Sequence, residues 1–553
     1  MVHFTASSSR QRIAVVGASC RFAGADTLDD FWELLHRGGR SIGEVPRYRA
    51  ELFADKHLIS SPEFVRFGAY LKDPALFDAE LFGIDEHSAR VLQPEARILL
   101  ELTWSALENA MVSPCQLSGS QAGVFLASTS NDYRDLVIKN GGPLSETAKL
   151  SMRGLIANRI SNAFGFAGPS LVCDSAQSSG MAALDVACTY LSSRELEVAL
   201  VGGVNLVLDA SSTVSLNRLG ALSASGTGVV LDADSDGYVR GEGGVVLVLK
   251  RYEDAVACGD RIIGVIEEIA NSYASAGNDL VTPSVPGQIA AMRRVYSQDI
   301  DAMGIDYVEM HGTGTRVGDA VEVKALGEVF GRTRKVGSGL AIGSAKANVG
   351  HLEGCSALVG VLKALLCLSN GLIVETPGQT RTRGDLDLAS LGLTVPDHNR
   401  FWPDENGTRM AAVSSFGLGG SNAHAVLSAT SEAAAVVPTS RMLVVWCRGC
   451  CRVRRRWRCE RSGTPAGVGL VGGCWVGRVG GCGLVVGEYA CGVGIACGGG
   501  RAGCGGFPDG FGGVGRGSAG GGCGAGSDGV GLGGVRVPGA GLAVAGYGFG
   551  VAR

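Results

Sequence analysis

The first 445 residues alternate short apolar runs with amphipathic stretches. Strand-like runs, among them Ile13-Ala14-Val15-Val16-Gly17, Ala122-Gly123-Val124-Phe125-Leu126 and Val198-Ala199-Leu200-Val201-Gly202, are separated by helix-period patterns such as those over 89–110 and 181–191. Runs that are apolar throughout belong to strands covered on both faces. Strand, helix and strand at this spacing predict crossover connections, and so an α/β fold on a mostly parallel sheet. The most apolar stretch, 356–374, carries Lys363 in its middle and is expected to be a core helix rather than a membrane span.

The pattern stops abruptly after Trp446. Residues 447–553 contain no Lys, Asn, Gln, His or Met, and about a third of them are glycine, mixed with Arg, Cys and Val. No G-x-y period is present, which excludes collagen, and no helical or strand pattern persists. Such a tail cannot bury enough apolar surface to fold and is expected to be disordered. Its composition is that of GC-rich coding DNA read out of frame, which points to a frameshift near codon 446. Cys447, Cys450 and Cys451 form a cluster, but no second pair follows at a zinc-like spacing, so no metal is expected.

Composition then narrows the class. A chain of 553 residues has room for two or three domains, and a net charge of −4 carries no electrostatic footprint for nucleic acid. Residues 1–12 are polar and lack a signal-peptide core, so a cytoplasmic protein without a membrane partner is expected. Seven of the 17 cysteines precede the tail (Cys20, Cys115, Cys173, Cys188, Cys258, Cys355, Cys367). They form no CxxC pair and are expected to be buried thiols in a reducing compartment.

Candidate chemistry lies in four segments. In Cys173-Asp174-Ser175-Ala176-Gln177-Ser178-Ser179-Gly180 an apolar run enters a turn of small residues and a helical pattern follows at Met181. A tight strand-to-helix turn of this kind presents a nucleophile, with the helix N-terminus behind it. Here the presented residue is Gln177, whose neutral amide can hydrogen-bond but cannot form a thioester. The second segment is His311-Gly312-Thr313-Gly314-Thr315, with Asp319 and Glu322 after it. The third is Lys346-Ala347-Asn348-Val349-Gly350-His351, and the fourth Phe416-Gly417-Leu418-Gly419-Gly420-Ser421-Asn422-Ala423-His424. Taken singly, a histidine after a strand is an ordinary core residue and a glycine-rich loop an ordinary bend; no phosphate-loop motif occurs. Together the segments suit cleavage of a carboxylate from a β-carbonyl thioester. Two imidazole N–H donors, His311 and His351, can hold the resulting enolate oxygen. Lys346, Glu322 and Asp319 are supporting groups that set histidine orientation and protonation. Backbone N–H groups of Gly417, Leu418 and Gly419 can approach an oxyanion, and Phe416 and Leu418 can shape an acyl pocket.

These motifs, with Asp232-Ala233-Asp234-Ser235-Asp236-Gly237-Tyr238-Val239-Arg240-Gly241-Glu242-Gly243 and Asn158-Arg159-Ile160-Ser161 before Gly168-Pro169-Ser170, give the chain its resemblance. Over about residues 12–431 it resembles the β-ketoacyl synthase domain of modular type I polyketide synthases, in the thiolase-like superfamily. The resemblance implies a five-layer α-β-α-β-α fold of two duplicated halves, here 12–251 and 252–431, followed by a linker over 432–446 and the tail over 447–553. It implies a homodimer. It also implies a Cys-His-His set in which the cysteine position is Gln177.

A condensing synthase needs that thiolate, and Cys173 and Cys188 are expected to be packed rather than to replace it. The resemblance extends to a glutamine variant found in loading modules, which decarboxylates malonyl or methylmalonyl units to make the starter. The substrate rides on the phosphopantetheine of an acyl carrier protein, no cofactor binds directly, and an acyltransferase domain, absent from this chain, loads the carrier. The start of the domain near Met1 leaves no docking segment, as expected of a module that begins its assembly line. Two alternatives stand beside this reading: a non-catalytic partner subunit like a chain-length factor, and an ordinary condensing synthase with an unexpected nucleophile. Smaller departures from the family pattern are Gly180 in place of serine and Gln93-Pro94-Glu95-Ala96-Arg97 in place of Asp-Pro-Gln-Gln-Arg.

Overall fold

The structure, a computed structural model, describes residues 11–430 apart from 54, 275–279, 297–299, 332–338 and 404–406, together with four short strands between 468 and 496. The main sheet has eleven strands. In chain order they are β1 (Ile13–Phe22), β2 (Gly123–Ala127), β3 (Ser170–Cys173), β4 (Ala199–Asn205), β5 (Gly243–Arg251), β6 (Gly264–Tyr273), β7 (Tyr307–Glu309), β8 (Leu340–Gly343), β9 (Leu393–Thr394), β10 (Met410–Phe416) and β11 (Ser421–Ser428). The helices that matter for the site are α1 (Pro94–Asn109), α2 (Gly154–Phe164), α3 (Ser179–Ser192), α4 (Val285–Val295), α5 (Arg316–Leu326) and α6 (Ser356–Asn370).

The order across the sheet, β9-β8-β7-β10-β11-β6-β1-β5-β4-β2-β3, contains one arrangement twice. With the short edge strand β9 set aside, which pairs parallel with β8 in the second half alone, the strands of each half lie third, second, fourth, fifth, first. The third–second and second–fourth pairs are parallel, and the fourth–fifth and fifth–first pairs antiparallel. The halves join where β1 pairs antiparallel with β6. The expectation of a mostly parallel sheet is therefore corrected. The outer strands are parallel, but the central ones run antiparallel, because β5 and β11 return beside their neighbours instead of crossing over.

Three apolar cores follow from this duplication. Helices α1 and α2 cover the outer face of the first half. Helices α4 and α5 cover the outer face of the second. Between the halves, α3 and α6 pack on each other and on both inner faces, which makes the middle of five layers. Each middle helix follows the third strand of its half, so α3 places Gln177 and α6 places His351 at equivalent ends. An ideal Cβ on Gly180 would lie 3.0–3.2 Å from Leu358 and Ala357. The missing side chain at that departure thus lets α3 and α6 cross closely. Among the described residues, the stretch Glu353–Asn370 is long and apolar enough to cross a membrane, but 78% of it is buried inside the fold, as expected of a core helix.

Some local expectations shift. The helical pattern over 89–110 is two helices, Glu86–Val91 and α1, because Pro94 opens α1 and disfavours helical backbone at Gln93; Leu92 before it is extended as well. Cys20, Cys188, Cys355 and Cys367 are buried and Cys173 half-buried, but Cys115 and Cys258 are exposed, contrary to the expectation for all seven. The second unit of the chain is described only as two antiparallel hairpins, 468–471 with 474–477 and 485–489 with 492–496. The sequence showed no strand pattern there, although Val and aromatic residues interleaved with glycine can support short pairings. The remainder of the tail and the 432–446 linker lie outside the described residues.

Glu95, where the family pattern has glutamine, is 5% exposed, and its Oε2 is buried without a hydrogen-bond partner. Burial pushes its carboxyl up to about 7. The folded state therefore favours the protonated form. That stabilisation is fully present below about 4.5 and is lost as pH rises through about 7. Glu95→Gln is expected to raise stability at pH 8 by roughly 2–3 kcal/mol and to change little at pH 4, as read by denaturant unfolding at both pH values. An equal effect at the two pH values would contradict this.

Candidate active site

Beyond β3, Asp174 Oδ1 accepts the Ala176 N–H at 3.1 Å, and Ser179 Oγ accepts the Ser175 N–H at 2.9 Å. Ala176 has φ +57°, a left-handed conformation that costs a residue with a Cβ about 1 kcal/mol. These bonds hold the sharp turn that lifts half-buried Gln177 ahead of α3. The glycine loop lies directly on the turn. Ser415 Oγ donates to the Gln177 carbonyl at 3.2 Å, and an ideal Cβ on Gly417 would sit 2.5 Å from the Ser175 carbonyl oxygen. The Leu418 N–H donates to Gln177 Oε1 at 2.8 Å. The Gly417 N–H is used by the Ser421 carbonyl at 2.7 Å and the Gly419 N–H by the Leu280 carbonyl at 2.9 Å. Of the three loop donors proposed for an oxyanion, Leu418 alone reaches residue 177. The Leu418 side chain is 42% exposed. Phe416 is buried and meets the His311 ring edge-on at 5.8 Å.

The loop after β7 carries His311. The Glu322 carboxylate, from α5, accepts the His311 and Gly312 N–H groups at 2.7 and 2.8 Å. Asp319 accepts those of Thr313, Gly314 and Leu231 at 3.1–3.2 Å. These carboxylates shape the backbone of the loop that carries His311, and no hydrogen bond joins either of them to the imidazole among the described residues. Burial pushes Asp319 up to about 6 and Glu322 up to about 8, against the pull of these N–H donors. Lys346, also buried, is pushed down by burial, while Glu309, Glu322 and Asp319 pull it up.

The His351 ring lies 5.7 Å from that of His311, at 84°, and 4.6 Å from Tyr238. Its Nδ1 accepts the Glu353 N–H at 2.8 Å and lies 2.7 Å from Ser356 Oγ. A nitrogen that accepts from a backbone N–H carries no proton, so a neutral His351 bears its proton on Nε2. Both histidines are held well below the usual imidazole range, first by burial and then by the charge of Lys346. His311 Nδ1 is buried with no partner among the described residues. The centre thus offers two neutral imidazoles beside an amide on a backbone donor. His424, the last residue of the fourth motif, is not part of it. Its ring nitrogens bond Tyr296 at 2.8 Å and Ser414 at 3.0 Å, and burial pushes it down to about 3.

Among the described residues, no thiol is seen to replace the missing nucleophile. Cys173 is pushed up by burial, and Cys188 is buried within α3. Beneath the site, Glu309 accepts the Ala345 N–H at 2.6 Å and lies 3.0 Å from the buried Lys363 Nζ. Glu309, Tyr238, Arg240 and Glu353 are not singled out by the sequence. The first three sit within or beside the motifs, but nothing in their spacing marks them as neighbours of the histidines.

Fold and site together define a condensing-enzyme centre on a thiolase-like scaffold. The family profile "Beta-ketoacyl synthase, N-terminal domain" matches residues 10–255, and "Beta-ketoacyl synthase, C-terminal domain" matches 263–380. The polyketide synthase GfsA of Streptomyces halstedii is 38% identical over 451 residues, covering 78% of this chain and 6% of that protein. The mycocerosic acid synthase-like polyketide synthase of Mycolicibacterium smegmatis is 38% identical over 436 residues, 76% of this chain and 20% of that protein. The chain therefore spans only a small part of these relatives. Among solved structures, the ketosynthase from module 6 of the bacillaene synthase of Bacillus subtilis is 33% identical with a TM-score of 0.69, over 76% of this chain and 72% of that one. An oxazolomycin ketosynthase domain of Streptomyces albus is 31% identical with a TM-score of 0.70, over 76% of each chain. The chain belongs to the β-ketoacyl synthase family, as a ketosynthase domain of the polyketide synthase type.

Proposed function

We propose that this domain decarboxylates malonyl or methylmalonyl units carried on the phosphopantetheine of an acyl carrier protein, and so makes the starter unit of a polyketide. Gln177, His311 and His351 are its catalytic residues. The carrying observation is the hydrogen bond from the Leu418 N–H to Gln177 Oε1. In a condensing centre, residue 177 would bear a thioester whose carbonyl oxygen needs that donor. The glutamine amide is a fixed carbonyl in the same place, with nothing to transfer. Chain transfer is removed, and the half of the centre that acts on the extender unit remains.

In that half, the bond between the carboxylate carbon and the α-carbon breaks. The carboxylate leaves as carbon dioxide, and the bond's electron pair forms an enolate on the thioester. Its oxygen accepts from the Nε2–H of His351, with His311 beside it, and the α-carbon then takes a proton from water. Neutral donors suit this step, because an imidazolium in a buried site would cost more to maintain. An acyltransferase would load the carrier. A homodimer fits the edge position of β3, where Leu171 is exposed.

The purified chain, incubated with malonyl-loaded carrier protein, is expected to release labelled carbon dioxide, and His311→Ala to remove the release. Release no faster than the uncatalysed background would refute the proposal. Because both imidazoles are held well below 6.5, protonation does not disable them near neutrality. The ¹⁵N ring signals of His311 and His351 should therefore not titrate from pH 8 down to pH 6, although Glu322 and Asp319, which accept from the His311 loop, titrate at about 8 and about 6. A ring titration centred near an ordinary imidazole pKa of about 6.5 would contradict the assigned neutral state.

A further inference from the structure

We propose that Arg240, acting through Glu353, is the positioning pair that fixes the tautomer of His351. The catalytic consequence of this pair rests on the reading above; its structural content does not.

The Glu353 N–H reaches the ring of a residue only two positions earlier, and the chain turns at Glu353 itself, which has φ +46°. That left-handed conformation costs a residue with a Cβ about 1 kcal/mol, so something must hold it. Arg240 does. Its Nε donates to Glu353 Oε1 at 2.7 Å. Its Nη1 donates to Ser212 Oγ at 2.8 Å and Thr213 Oγ1 at 2.9 Å. Ser212 is tied in turn to Asp132, at 3.0 Å, and Asp132 accepts the N–H groups of Leu208 and Asp209. The guanidinium, 4% exposed, is thus anchored in a closed network on one side and grips Glu353 on the other.

The same segment holds the backbone of His351. The His351 N–H donates to the Val239 carbonyl at 2.7 Å, and the Gly241 N–H to the His351 carbonyl at 2.8 Å. Three consecutive residues therefore fix both the main chain of His351 and the group that faces its Nδ1. Ser356 cannot choose the tautomer, because a hydroxyl both donates and accepts. The Glu353 N–H can, because it only donates. If Glu353 relaxes, Nδ1 can take the proton and hand it to Ser356. Nε2 then becomes an acceptor, with nothing to give an enolate oxygen.

The test uses the full chain with ring-¹⁵N histidine, and His351→Gln to assign the His351 signals. In the parent, Nδ1 is expected to be unprotonated and Nε2 protonated. Glu353→Ala loses the tether but keeps the Cβ penalty. It should populate the Nδ1–H form and lower kcat for carbon dioxide release about tenfold or more with KM little changed. Glu353→Gly loses the same tether but adopts the left-handed conformation freely, so it should recover the parent tautomer and most of kcat. Arg240→Lys, a charge without the fork, should shift the ring signals toward Nδ1–H. Parent-like signals in both Glu353→Ala and Arg240→Lys would overturn the proposal, as would a glycine variant no better than the alanine one. If no variant, and not even the parent, releases carbon dioxide, the ring signals still decide the positioning role.

Discussion

Replacing His351 with alanine is expected to lower the rate of carbon dioxide release from malonyl-carrier protein by about 10²–10³-fold, the usual effect of removing one donor from an oxyanion site. The expectation follows from geometry. Nδ1 is occupied by the Glu353 N–H at 2.8 Å, so the donor that remains is Nε2–H on the opposite edge of a ring whose centre lies 5.7 Å from that of His311. The backbone of residue 351 is held by Val239 and Gly241 whatever its side chain, so the variant should fold. KM should change little, because the donor acts on charge that develops only as the carboxylate leaves. His351→Gln, which can still present an N–H, should lose less. Equal rates in parent and alanine variant, measured with matched melting temperatures, would remove His351 from the mechanism.

The second large effect is expected at Gln177. Gln177→Cys should lower decarboxylation by about 10²-fold, because the Leu418 N–H loses its fixed carbonyl partner and the site must reorganise around a thiol or water. It should also gain a reaction the parent lacks. A thiol ahead of α3, at a helix N-terminus, has its thiolate favoured by the helix dipole, and it should become acylated by an acyl thioester. Once acylated, the cysteine carries a carbonyl that can take the place of the glutamine amide, so decarboxylation should partly recover when an acyl donor is supplied first. A cysteine variant that decarboxylates as fast as the parent without any acyl donor would show that the glutamine has no special part.

Much of this centre was legible in the chain itself. The turn at Gln177 and the two histidine segments announce themselves by local chemistry: small residues between an apolar run and a helix, or a histidine at the end of one. The partners of these residues did not. Leu418 lies 241 residues from Gln177, and Glu353 lies 113 residues from Arg240. Such contacts are made by the antiparallel return of β10 and β11 and by the closing of 239–241 on His351, which no local period encodes. The carboxylates show the same limit. Asp319 and Glu322 stand out by proximity in sequence to His311, but side-chain direction within α5 aims them at backbone N–H groups rather than at the ring. Strand existence was readable from apolar runs. Strand direction was not, because parallel and antiparallel neighbours in a doubly covered sheet have the same composition. The break at Pro94 was not read, because the apolar period continues on either side of it.

The central claim is that residue 177 holds a carbonyl in place without passing an acyl group on. Intact mass spectrometry of the chain and of malonyl-loaded carrier protein after one shared incubation tests it most directly. The account predicts that the carrier loses the mass of carbon dioxide, becoming acetyl-loaded, while the chain gains no acyl mass. An acyl adduct on the chain, or a carrier that stays malonyl-loaded, would contradict it.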